Sequence, residues 1–154
     1  MRVFVQSTLP CDADAGWDCV QTSDLLREIC SPLIRLAPAD GAAELPARWE
    51  HQSTVRFRSF MFGFIPLGVR TLRFEHVDHE RREIQTREHD PLISRWDHRI
   101  RFEPLDNGSS RYTDEVEVEA GLLTPVAWVF AQWFYRHRQR RWRRVARRIQ
   151  NGKA

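Results

Sequence analysis

Lysine is almost missing from this sequence. Lys153, next to the end, is the only one. A Schiff-base mechanism needs a positioned, desolvated lysine amine, so that chemistry is excluded. Cysteine is scarce as well. Cys11, Cys19 and Cys30 form an odd set without CxxC spacing, which speaks against a redox or metal motif and leaves three reduced thiols behaving as small hydrophobes. There is no long apolar run. The longest, from Gly121 to Tyr135, is interrupted by Thr124, Pro125 and Gln132 and falls short of the roughly 20 residues a membrane span needs. Met1 to Pro10 alternates like a strand and carries no apolar segment followed by a small-residue cleavage site, so the expectation is a cytoplasmic protein. Gly-rich phosphate loops, nucleophile elbows and paired catalytic carboxylates at recognisable spacing are also lacking. His76, Asp78 and His79 have no third ligand at productive spacing, so neither a metal nor a cofactor is expected.

Large aromatics and arginine are abundant. Six Trp and nine Phe in 154 residues supply enough apolar surface for one packed domain, expected over residues 1–150. The formal net charge of +3 conceals an asymmetry. Residues 136–154 carry eight Arg, Lys153 and no acid, whereas the rest of the chain holds 15 basic and 21 acidic groups, a balance of −6. A basic tail on a mildly acidic body can mark a contact with nucleic acid or an anionic membrane.

Hydrophobic periodicity gives the order of elements. Met1 to Leu9 reads as a strand ended by Pro10. Asp12 and Asp14 offer N-cap chemistry for a short helix to Val20, and Thr22 or Ser23 for a second helix bearing Leu25, Leu26, Ile29 and Leu33. Residues 37–47 read as a loop. Strands are expected over 49–60, 69–77 and 82–88, with an apolar connection at 61–68. In the second of these, Leu72, Phe74 and His76 share a face. The clearest alternation spans 92–103, where Leu92, Ser94, Trp96, His98, Ile100 and Phe102 oppose Ile93, Arg95, Asp97, Arg99, Arg101 and Glu103. Asp106-Asn107-Gly108 is a hairpin signal. The returning strand sets Tyr112, Asp114, Val116 and Val118 against acidic outer residues, which would pair with the arginines across the turn. A long helix follows Thr124 and Pro125, with Val126, Val129, Phe130, Trp133, Phe134 and His137 as its apolar stripe and Trp142, Val145 and Ile149 beyond. The fold class is α+β: about six antiparallel strands in the order β-α-α-β-β-β-β-β-α, their apolar face covered by the last helix.

This order resembles the START-like, or SRPBCC, superfamily, which includes plant Bet v 1-type allergens, lipid-transfer START domains and bacterial polyketide cyclase/dehydrase-like proteins. The run Trp96-Asp97-His98-Arg99-Ile100-Arg101-Phe102 resembles the W-x-H-x-H-x-F strand of small bacterial members, with Ile100 where the second His would stand. Thr113-Asp114 and Tyr135-Arg136-His137-Arg138 also fit those members. The resemblance implies a helix-grip fold, a curved sheet around the C-terminal helix with a hydrophobic cavity between them.

Phe57, Phe74, Trp96, His98, Phe102, Asp114, Phe130, Trp133 and His137 are the expected lining of such a cavity, with a small apolar or amphipathic molecule as its occupant. His98 and Asp114 fall on otherwise apolar strand faces that pair through the 106–108 turn. They could be a base and its orienting carboxylate in a cyclase/dehydrase or hydrolase, polar groups that orient a ligand, or a hydrogen-bonded pair that satisfies the core. The arginine-rich helix end, with Arg140, Arg141, Arg144 and Arg148, could lie solvated, dock on acidic groups, or bind anionic membrane or nucleic acid.

Overall fold

The computed structural model describes residues 1–89 and 93–152. β1 (Arg2–Leu9) leads through α1 (Ala13–Val20) and α2 (Ser23–Cys30) to six further strands. These are β2 (Ile34–Pro38), β3 (Thr54–Met61), β4 (Ile65–Asp78), β5 (Glu83–His89), β6 (Arg95–Pro104) and β7 (Ser110–Glu119). A single 3-10 turn, Gly121–Leu123, precedes α3 (Thr124–Gln150). All neighbouring strands are antiparallel, and the seven-stranded sheet has the order β1-β7-β6-β5-β4-β3-β2. The curved sheet and its long C-terminal helix form a helix-grip fold.

Local chemistry explains the helix starts. Asp12 accepts from the backbone N–H of Asp14 and Ala15 at 2.8 and 3.1 Å, and Thr22 Oγ1 from that of Leu25 at 3.2 Å. α2 stops at Cys30, two residues before Pro32, so Leu33 lies beyond the helix on which the periodicity placed it. β2 is the strand the pattern did not reveal. It is short, sits at the sheet edge and ends in Pro38, a residue tolerated only where no ladder donor is needed. The 61–68 connection is correspondingly shorter, a tight turn over 62–64 from which β4 leaves at Ile65.

Period two holds in β6 and β7. Trp96, His98, Ile100 and Phe102 are buried, as are Tyr112, Asp114, Val116 and Val118. The outer face is laced by ion pairs, among them Arg95–Glu117 at 3.1 Å and Arg101–Glu83 at 3.0 Å. Two positions depart from the alternation. Ser94 lies before the strand and is exposed, and its hydroxyl donates to the Glu119 carbonyl at 2.9 Å. His76 turns outward because a bulge between Phe74 and His76 reverses the parity, so that Val77 is buried instead. Leu92 is outside the described residues.

The helix α3 is gripped along a different line from the one expected. Ala131, Phe134, Tyr135, Arg138, Gln139, Trp142, Val145 and Ala146 are buried, whereas Val126, Val129 and Trp133 are 67, 60 and 49% exposed. The helix packs on β1, β7 and α2, and near its start Trp128 Nε1 donates to the Arg2 carbonyl of β1 at 2.8 Å. On the other side of the core, α1 approaches β6 so closely that a Cβ on Gly16 would lie 2.6 Å from Phe102 Cε1.

Candidate functional site

Between the concave sheet face, α2 and α3 lies a half-open cavity. Its empty space is about 910 Å³ with the open mouth included. The walls are mostly apolar. Val20, Leu25, Ile29 and Cys30 come from the two short helices, Phe57, Leu72, Phe74, Ile84 and Trp96 from the sheet, and Phe130, Phe134 and Tyr135 from α3. Leu67, 36% exposed, stands at the solvent end beside the β3–β4 turn.

A few polar groups interrupt these walls: Ser59, Arg70, Thr86, Glu88, His98 and Arg138. Arg70 and Glu88 are paired at 3.1 Å, and the Arg70 guanidinium sits 5.3 Å from the Trp96 ring centroid. Behind the wall, Asp114 is fully buried and accepts three hydrogen bonds. His98 Nε2 donates to its Oδ1 at 2.8 Å, the Tyr112 hydroxyl to the same oxygen at 2.9 Å, and Gln139 Nε2 to Oδ2 at 3.0 Å. Burial alone would raise the Asp114 pKa. The hydrogen bond from His98 and the charge of Arg138 outweigh it and hold the carboxyl below its ordinary value. Burial, reinforced by the Asp114 charge, pushes the Tyr112 phenol well up, and burial does the same to Tyr135. Tyr135 accepts from Trp96 Nε1 at 3.0 Å and packs edge-on against the His98 ring. The cysteine thiols are free. Burial raises that of Cys11 and pushes those of Cys19 and Cys30 up to about 11, which makes them poor nucleophiles near neutrality.

Five of the nine residues expected at the site line the cavity: Phe57, Phe74, Trp96, His98 and Phe130. The other four stand elsewhere. Phe102 packs on Tyr112 and Trp142 in the core under α1. Asp114 is one residue removed, behind His98. Trp133 faces solvent, because the gripped side of α3 is rotated away from it. His137 donates to the Ser31 carbonyl at 3.0 Å. Of the four arginines proposed for anion contact, Arg141 donates to the Glu28 carbonyl at 3.0 Å and Arg148 pairs with the Glu28 carboxylate, while Arg140 and Arg144 are exposed. Periodicity missed Tyr135, Arg138 and Gln139. Their signal was the spacing 131, 134/135, 138, 142, 145/146, which is helical only if an arginine and a glutamine are allowed inside. No group of His, Cys, Asp and Glu among the described residues could hold a metal ion.

The chain belongs to the family described as a domain of unknown function (DUF8410), whose model matches residues 7–146. No curated protein matches it. Solved structures share its fold at low identity. The Zhui aromatase/cyclase of a Streptomyces species is 16% identical, covers 96% of this chain and 94% of its own, and superposes with a TM-score of 0.69. A START superfamily protein from Mycobacterium smegmatis is 13% identical over 96% of this chain and 98% of its own, with a TM-score of 0.69. Ara h 8.0201 is 11% identical over 90 and 94%, with a TM-score of 0.60. The fold is thus START-like, and at these identities the likeness is one of fold.

Proposed function

We propose that the chain binds a small hydrophobic or amphipathic molecule in the cavity between the sheet and α3. The carrying observation is that the aromatic residues of the two inner faces line a space and do not fill it. Protein interiors normally close to crystal-like density, and unfilled apolar volume destabilises them. A cavity lined by aromatics and aliphatics with a few converging polar groups has the form of a small-molecule site. Fold neighbours described as an aromatase/cyclase and a START superfamily protein add support by analogy only.

Native mass spectrometry and a calorimetric titration of lipid-stripped protein with neutral methyl decanoate test this reading. One bound molecule per chain is expected. A protein that carries nothing on purification and takes up no ester would contradict it.

The position of His98 favours a second reading, an enzyme of the cyclase/dehydrase or hydrolase kind. His98 lines the cavity and has a buried carboxylate fixing one of its nitrogens, an arrangement suited to general base chemistry. Under that reading, a His98→Ala variant that still folds and still binds ester would lose turnover by orders of magnitude. Under the binding reading it would lose only affinity.

A further inference from the structure

Arg138 is a buried cation in the cavity wall whose charge faces that of Asp114 but whose Nε meets no hydrogen-bond acceptor. Its side chain is 5% exposed, and its Nε has no hydrogen-bond acceptor. The guanidinium lies 5.0 Å from the Tyr135 ring centroid and 5.9 Å from that of Phe134, so aromatic faces hold it in place without accepting from its N–H groups. The acids nearby are already engaged. Asp114 takes its three bonds from His98, Tyr112 and Gln139, and Glu88 is paired with Arg70. A desolvated guanidinium, with five donors and no acceptor of its own, is costly to leave in this state.

We infer that the cavity takes an amphipathic carboxylic acid whose carboxylate is received by Arg138 and whose apolar tail lies along Phe57, Phe74, Trp96 and Phe130. This rests on the ligand-binding reading above. A planar carboxylate matches the guanidinium fork and would be met by charge-assisted bonds. Of the two arginines in this mostly apolar wall, Arg70 is paired with Glu88, and the one charge of Arg138 suits a singly charged head group better than a phosphate, which brings more charge and needs more donors. Phe130, partly exposed at the mouth, stands two turns before Arg138 on α3. That is about 12 Å along the helix, a depth suited to a medium-length acyl chain.

The experiment compares decanoate with its neutral methyl ester on wild-type protein and on Arg138→Met. The substitution should weaken decanoate by about 10- to 100-fold, the worth of a charge-assisted hydrogen bond, and change ester binding by no more than about 3-fold. In case the variant does not fold, ¹³C-carboxyl-labelled decanoate is titrated on the wild-type protein, where the bound carboxyl should ionise at lower pH than the free acid. Equal losses of acid and ester, or a bound carboxyl that titrates at or above the free value, would overturn the inference while leaving the pocket intact. Failure of both ligands to bind wild-type protein would overturn the inference and the binding reading together.

Discussion

Residues 124–133 of α3 are largely apolar, yet Val126, Val129 and Trp133 face solvent. Residues 134–150 contain eight arginines, yet Trp142 and Ala146 are fully buried and Val145 nearly so. Composition therefore gives the wrong order of burial for the two parts. What decides burial is the support beneath each turn. The basic part lies over β1, β7 and α2, and its arginines direct their charged heads outward or onto Glu28, with Arg138 the exception. The apolar part touches β1 through Trp128, whose indole donates to the Arg2 carbonyl at 2.8 Å, and lines the cavity through Phe130, while Val126, Val129 and Trp133 lie on its outer side.

The comparison can be broken most sharply with two tryptophans. Trp142→Ala should cost about 3–5 kcal/mol by the usual cost of deleting a buried aromatic, whereas Trp133→Ala should stay within about 0.5 kcal/mol. Denaturant titrations of both variants measure this, and similar losses would show that both parts are held alike. Asp114→Ala should also cost about 3–5 kcal/mol, because it leaves buried donors on His98, Tyr112 and Gln139 facing a void.

Asp114 also gives a pH dependence. Its folded pKa lies below the ordinary value, so its contribution to stability is present above the usual carboxylate range, at roughly pH 4, and is lost as pH falls through the folded value. Acid denaturation of Asp114→Asn should therefore show a shallower slope below that pH than wild type.

Gly16→Ala comes next. Its Cβ would press on the Phe102 ring at the far side of the same core, for a loss of about 1–3 kcal/mol in thermal unfolding. The smallest effects belong to the surface of the basic part. Arg140→Ala and Arg144→Ala should change stability by less than about 0.5 kcal/mol, and Arg148→Ala, which loses the half-exposed pair with Glu28, by at most about 1 kcal/mol. If the exposed arginines serve an anionic surface, the Arg140→Ala, Arg144→Ala double variant should bind anionic vesicles or DNA more weakly, with a reduced salt dependence.

The architecture was legible in the sequence where a strong period met clear punctuation. Residues 95–119 show both, with strict alternation on either side of a hairpin signal. The edge strand β2 was not legible, because five residues ending in proline carry no period. The outward turn of His76 was hidden too, since a bulge leaves no mark in the side-chain alternation preceding it. At the site, the sheet side was readable and the helix side was not. Phe57, Phe74, Trp96 and His98 follow from strand parity, but the face that α3 presents depends on which sheet edge supports it. Reading that face correctly required placing Arg138 and Gln139 inside, against their usual preference for the surface. Their burial goes with Asp114 on the preceding strand β7, which accepts from Gln139 and whose charge faces Arg138.

Two-dimensional NMR of the tryptophan indole N–H groups during titration with decanoate tests the central claim most directly. Trp49 and Trp96 line the cavity, Trp142 is packed behind it and Trp133 is on the surface. Saturable shifts at Trp49 and Trp96, with Trp142 and Trp133 little changed, are the predicted result. Shifts confined to Trp133, or none at any indole, would contradict a ligand site between the sheet and the helix.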